Sequence, residues 1–200
     1  MVNTYKIYYV WVGPNEMPDQ CKRYIDTWSK IKHTQIIEIG NECEILCPDS
    51  PFLKKAFETE NWCNVSNYMR AYAMAYWGGI YMDTDVEVVR DSEVWRSGEV
   101  EIAAENKHWL NSHVIVSHQP GHPMFLNMLE KLNSFDFPGE VALELESGPR
   151  LITRVYNEMK PYGVNVHQPS VFSPHQWNEK FHPDEIKSDT LAIHHFTKLW

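Results

Sequence analysis

The sequence predicts an α/β fold: one domain with a mostly parallel central sheet flanked by helices. Three observations carry that prediction. Strand-like and helix-like segments alternate, at least through the first half of the chain, as in a sheet joined by crossover helices. The length, 200 residues, suits one domain. Apolar residues make up 43% and aromatics 13%, enough to bury a core and unlike a disordered chain.

The elements follow in order. Residues 6–12 form a β-rich run stopped by Gly13-Pro14. Residues 18–32 carry Tyr24, Ile25, Trp28 and Ile31 at helical spacing and read as one amphipathic helix. Residues 34–39 are a second strand, and residues 51–59 a short helix. Residues 64–77 are a longer helix, with Val65, Met69, Tyr72 and Tyr76 on one stripe and Gly78-Gly79 as its stop. Residues 80–82 and 86–89 are strand-like, interrupted by Asp83-Thr84-Asp85. Residues 102–104 and 114–116 are two further strands. Residues 123–132 and 149–159 are helices that open on proline. Residues 164–166 form a strand, and the tail from Leu191 to Trp200 is apolar with two histidines.

Charge narrows the partners. Eighteen Lys and Arg stand against 27 Asp and Glu, a net charge of −9. That balance disfavours nucleic acid and anionic membranes, which need clustered cations. An anionic substrate would need a local cation or a metal. No stretch approaches the roughly 20 apolar residues of a membrane helix, so no integral membrane segment is expected. The opening MVNTYKIYYVWVGP reads as a first strand rather than a signal peptide. Cys21, Cys43, Cys47 and Cys63 do not form a disulfide framework. Cys43 and Cys47 have the spacing of half a zinc site, but no second pair follows. Ordinary reduced thiols and a cytoplasmic location are the expectation.

The segment SNYMRAYAMAYWGGIYMDTDVEVV, residues 66–89, concentrates the chemistry. A helix ends at a glycine pair, and a short apolar strand then delivers Asp83 and Asp85 to its carboxyl end, where open α/β sheets bind ligands. On an extended chain, residues two apart point the same way. Two converging carboxylates repel, and a divalent cation relieves that repulsion. Oxygen ligands with open positions suit Mg²⁺ or Mn²⁺, which would recruit substrate phosphates. A bare D-x-D is common and by itself reads as a turn with two solvated aspartates. Its setting between apolar strands favours a site. Asn67 and Arg70, three apart on the helix, share a face, and Arg70 is placed to reach the same cleft.

This stretch resembles the sugar transferases with a DXD motif: glycosyltransferase family 32, of the initiating mannosyltransferase and capsular polysaccharide types, and more distantly the glucosyltransferase domains of clostridial toxins. Their signature runs S-D-x-x-R-x-x-x-L-x-x-x-G-G-x-Y-x-D-x-D. Here Ser66, Asn67, Arg70, Met74, Gly78, Gly79, Tyr81, Asp83 and Asp85 fill those places, with Asn67 where Asp is usual. YKIYYVWVG is similar to the opening strand I-H-Y-x-W-x-G. Trp11 takes the place of the nucleotide-contacting tryptophan, and Tyr8 replaces His. Residues 147–153, SGPRLIT, resemble a T-G-P-x-x-x-T segment near the acceptor side. LAIHHFTKLW resembles the closing A-I-H-x-x-x-x-S-W, with His194 and Trp200 in place and Leu199 where Ser is common.

The resemblance implies a GT-A-like domain, with a nucleotide-sugar half at about 1–105 and an acceptor half with a closing tail at about 106–200. It implies a metal-dependent, retaining hexosyltransferase of polysaccharide biosynthesis. The donor is a nucleotide diphosphate sugar, with uridine favoured, and the acceptor a growing glycan. Asp85 is the expected metal ligand, with Asp83 beside it and His194 as a second protein ligand for Mn²⁺ or Mg²⁺. Asp83, Asp85 and Arg70 form the expected catalytic group. Trp11, Asn67, Arg70, Tyr81, Asp83, His194, Lys198 and Trp200 form the expected donor site, Tyr81 favouring a stacked uracil and Lys198 balancing diphosphate charge. If the tail is a strand, His194 and His195 point to opposite faces and only one enters the site. Double displacement would need a carboxylate under the anomeric carbon, for which Glu144 and Glu146 are the candidates. Same-face attack assisted by the leaving phosphate needs none and is preferred. The tail, residues 191–200, is expected to act as a lid that orders over the donor.

Two other readings compete. A haloacid-dehalogenase-type phosphohydrolase also runs an apolar strand into D-x-D, but that motif continues to Thr or Val where Glu87 stands and normally lies on the first strand. A non-catalytic nucleotide-sugar-binding module would explain the departures at Tyr8, Asn67 and Leu199.

Overall fold

The computed structural model describes residues 4–134 and 147–197. In chain order the elements are β1 (Tyr5–Val10), α1 (Asp19–Asp26), β2 (Thr34–Ile39), α2 (Cys43–Leu46), α3 (Pro51–Glu58), α4 (Trp62–Tyr76), β3 (Gly79–Met82) and β4 (Val86–Val88). They continue with β5 (Val100–Ala103), β6 (Val114–Ser117), α5 (Pro123–Asn133), α6 (Gly148–Met159), β7 (Val164–His167), α7 (Pro169–Phe172) and β8 (Ala192–His194). Six strands form the central sheet in the order β2-β1-β3-β6-β5-β7. Three of its pairings are parallel, and β6 runs antiparallel to both its neighbours. The fold is therefore mixed α/β with a mostly parallel sheet, as the alternation of elements predicts.

The period of two in the strands divides the core. Tyr8, Val10, Tyr81 and Ile115 face a layer of α3, α4, α5 and α6. Ile7, Tyr9, Ile80, Met82, Val114 and Val116 face Trp28, Trp95, Phe172 and the small sheet of β4 and β8. Because β8 pairs with β4, and β6 lies between β3 and β5, residues from both sides of position 105 interleave around the site.

Three expectations need correction. The helix over 18–32 ends at Asp26 and continues as a 3-10 turn, Thr27–Lys30. Tertiary bonds decide this. Thr27 Oγ1 accepts from Val88 N–H at 2.8 Å, Trp28 Nε1 donates to Val86 O at 2.8 Å, and Lys30 Nζ donates to Val88 O at 2.7 Å. This turn therefore anchors β4. Secondly, α4 is buried nearly all round rather than on a stripe, with Asn64 to Ala71 and Ala73 to Ala75 enclosed while Tyr76 is exposed. It lies between the sheet, α3 and α5, and Ala71, Ala73 and Ala75 allow that close approach. Thirdly, residues 191–197 are packed rather than a free lid. Leu191 is bonded to Val171 and Val89, β8 is paired with β4, and Ala192 and Ile193 are buried.

The glycine pair is required by geometry. Gly78 and Gly79 have φ of +65° and +129°. A Cβ on Gly78 would stand 2.6 Å from His118 O, and one on Gly79 2.7 Å from Lys6 O. The turn from α4 into β3 can therefore be this tight only with glycine at both places.

Candidate active site

The site gathers where β3 ends. Residues 79, 81 and 83 share the face of β3 turned toward α4, so Tyr81 and Asp83 meet that helix. Arg70 Nη2 lies 2.6 Å from Asp83 Oδ1, and its Nη1 donates to Ser112 Oγ. Tyr81 OH donates to the same Asp83 oxygen at 2.9 Å and accepts from Ser66 Oγ at 2.9 Å. Arg70 Cζ lies 4.8 Å from the centre of the Tyr81 ring. Burial opposes the Arg70 charge, but Asp83 and Tyr81 hold its pKa above the ordinary value. Burial raises the Tyr81 phenol, with Asp83 adding to the rise.

Asp85 comes round by a turn rather than by strand alternation. Val86 N–H donates to Asp83 O at 3.0 Å, closing a tight turn over residues 83–86 that brings both carboxylates to one place. Asp85 Oδ1 meets His194 Nε2 at 3.0 Å, while Oδ2 accepts from Thr197 N–H at 2.9 Å and Thr197 Oγ1 at 3.0 Å. Burial alone would raise the Asp85 carboxyl. His194 and the Thr197 bonds outweigh it and hold the group well below the usual carboxylate range. Burial likewise opposes the His194 charge, and Asp85 raises that imidazole above its ordinary value. His113 stacks on His194 with ring centres 4.1 Å apart. Burial and the neighbouring His194 push the His113 pKa down, so this ring is neutral.

One oxygen or nitrogen from each of Asp83, Asp85 and His194 lies within 4.8 Å of the others. Two carboxylates and an imidazole are a fitting donor set for Mn²⁺ or Mg²⁺: Asp83 is oriented by Arg70 and Tyr81, Asp85 by Thr197, and His194 by its contact with Asp85 and by stacking on His113. No other such cluster occurs among the described residues. Cys43 and Cys47 are free thiols.

The other predicted residues divide. Asn67 Nδ2 donates to Ser147 Oγ at 2.9 Å, and Ser147 Oγ donates to Asn64 Oδ1 at 2.8 Å. The amide at this position thus supplies a proton to a serine whose own proton is already used. Tyr81 requires correction: its ring is fully buried and cannot stack on a base, and its hydroxyl instead positions Asp83. Trp11, at the carboxyl end of β1, borders a cleft of about 570 Å³ with Tyr9, Met17, Ile25 and Glu38. His195 turns away from Asp85 and meets Glu87 Oε2 at 3.0 Å. Lys198, Leu199, Trp200, Glu144 and Glu146 lie outside the described residues. Sequence reasoning missed Ser112, His113 and Thr197, which carry no motif; only proximity of their segments in space reveals them.

Residues 18–102 match a family model described as a glycosyltransferase sugar-binding region containing a DXD motif. No curated protein matches the chain. Among solved structures, the PaToxG glycosyltransferase matches with a TM-score of 0.63 and 18% identity, over 79% of this chain and 70% of that one. A transferase with two Cys-to-Ser substitutions matches at 0.48 and 11% identity, over 81% and 88% respectively. The PaToxG likeness speaks for the fold. The matched DXD region, whose two aspartates converge just after β3, supports a transferase.

Proposed function

We propose that the chain is a metal-dependent, retaining hexosyltransferase that moves a sugar from a nucleoside diphosphate sugar, with uridine as the base, to a glycan. The convergence of Asp83, Asp85 and His194 carries this reading. A divalent ion bound there would offset the negative charge that develops on the leaving diphosphate. Asp85, fixed by Thr197, and His194 would hold the ion, and Asp83, fixed by Arg70 and Tyr81, would complete the set and offer its remaining lone pairs to the donor. Trp11 offers its cleft to the base. In the transfer, the bond from the anomeric carbon to the phosphate oxygen breaks and a bond to the acceptor hydroxyl forms on the same face. The hydroxyl proton passes to the departing phosphate oxygen. The family 32 resemblance supports retention, and with a net charge of −9 an anionic donor needs a local cation or a metal, which the ion would supply.

Thermal unfolding with a panel of nucleotide sugars, with and without Mn²⁺, tests the reading, since a ligand of the native state raises the melting temperature. At least one donor should stabilise the native protein only when Mn²⁺ is present. Asp85→Asn should abolish that shift and Mn²⁺-dependent turnover while keeping the far-UV spectrum. Full activity in that variant refutes the assignment.

A further inference from the structure

A second cavity adjoins the metal-ligand cluster from another side. It measures about 550 Å³ and is lined by Glu105, Trp109, His175, Gln176 and Glu179 among others, and shares no residue with the Trp11 cleft. Two of its walls reach the cluster. Glu105 interacts electrostatically with His194. His175 packs against Phe196 with ring centres 5.5 Å apart, and Phe196 packs against His194 at 4.0 Å. Helix α1 brings Cys21 and Tyr24 within electrostatic range of Asp85 and lends Lys22 and Ile25 to the Trp11 cleft.

We propose that the Glu105–Trp109 cavity is the acceptor subsite and takes a neutral saccharide, with Trp109 as the platform for a sugar ring and Glu105 accepting a bond from a sugar hydroxyl. The proposal rests on the glycosyl-transfer reading above. The chemistry of the lining supports it. A flat aromatic beside carboxylate, amide and imidazole groups suits a ring with apolar C–H faces and hydroxyl edges. Two carboxylates against one lysine, Lys107, disfavour a phosphate or a second nucleotide. His175 is nearly enclosed at 5% exposure, and its Nδ1 has no hydrogen-bond partner among the described residues.

The platform is also held in place before any ligand arrives. Ala104 bridges to Leu110, Glu105 N–H donates to Trp109 O at 2.8 Å, and Asn106 Oδ1 accepts from the N–H of His108 and of Trp109. Arg150 Cζ sits 5.6 Å from the Trp109 ring centre. A fixed aromatic loses little freedom on binding.

The test uses the full chain and p-nitrophenyl α- and β-glucosides, galactosides and mannosides as probes, with binding followed by saturation-transfer NMR. In parallel, UDP or GDP with Mn²⁺ is followed by thermal shift. At least one glycoside should bind the native protein. Trp109→Ala and Glu105→Gln should each weaken that glycoside at least tenfold, Trp109→Phe should restore most of the loss, and the nucleotide shift should persist in both Trp109 variants. Failure of every glycoside to bind the native protein, or equal binding in Trp109→Ala and Glu105→Gln, overturns the subsite. A nucleotide shift lost together with glycoside binding in Trp109→Ala overturns it too, because the two cavities would then be one. Glycoside binding without any nucleotide shift in the native protein refutes the transfer reading instead and, with it, the acceptor role.

Discussion

Removing one hydroxyl, by Tyr81→Phe, tests the internal support of the DXD strand. The ring is fully buried and its shape is retained, so packing is kept. Two bonds disappear: the one donated to Asp83 at 2.9 Å and the one accepted from Ser66 at 2.9 Å. Asp83 keeps Arg70, and its side chain is 23% exposed, so water replaces part of the loss there. Ser66 is 4% exposed and is left without its phenol partner. A buried unsatisfied hydroxyl costs about 1–3 kcal/mol and a bond to a charged group contributes about 1.5–3 kcal/mol before that replacement. The expected total is about 2–3 kcal/mol, or a fall in melting temperature of about 4–12 °C for a chain of this size. Ser66→Ala added to Tyr81→Phe should cost little more, because the partner is already gone, giving a coupling of about 1 kcal/mol in the double-mutant cycle. Urea unfolding of the four proteins measures this. A Tyr81→Phe loss below about 0.5 kcal/mol, or strict additivity, would refute the reasoning.

Gly79→Ala meets Lys6 O at 2.7 Å in a backbone conformation that L residues rarely adopt, so it should destabilise by more than about 2 kcal/mol in urea unfolding. Ser50→Ala removes the hydroxyl that caps α3 at Leu53 N–H and donates to Asn133, and should lose about 1–2 kcal/mol by the same measurement. Thr197→Val keeps the backbone bond to Asp85 but removes the hydroxyl bond; calorimetric titration should show Mn²⁺ binding weakened several-fold, with the fold intact by circular dichroism.

Much of the fold could be read locally. Short β-rich apolar runs mark β1 and β3, and a glycine pair after a helical run marks the turn into the DXD strand. Arg70 could be placed near the Asp83 cleft because a helix that leads directly into a sheet strand packs beside it, but its pairing with Asp83 is a finding of the structure. The rest depends on contacts distant in sequence. Thr197 reaches Asp85 across 112 residues and Ser112 reaches Arg70 across 42, and neither leaves a local pattern. Tyr81 misled because an aromatic near a motif looks like a ligand platform, whereas the sheet face on which it lies points into the helical layer. The 3-10 turn at Thr27–Lys30 escaped helical periodicity because its bonds to β4 outweigh continuation of α1.

The pairing of β8 with β4 also orders events during synthesis. A nascent chain that has emerged as far as residue 190 already contains both aspartates, Arg70 and the glycine turn, yet lacks His194 and Thr197, which orient Asp85. Until β8 docks, Asp85 has no fixed direction, and β4 presents an unpaired edge held only from the side of the 3-10 turn. An ion held by Asp83, Asp85 and His194 would therefore favour the docked position of β8, because it would bind only the arrangement in which all three meet.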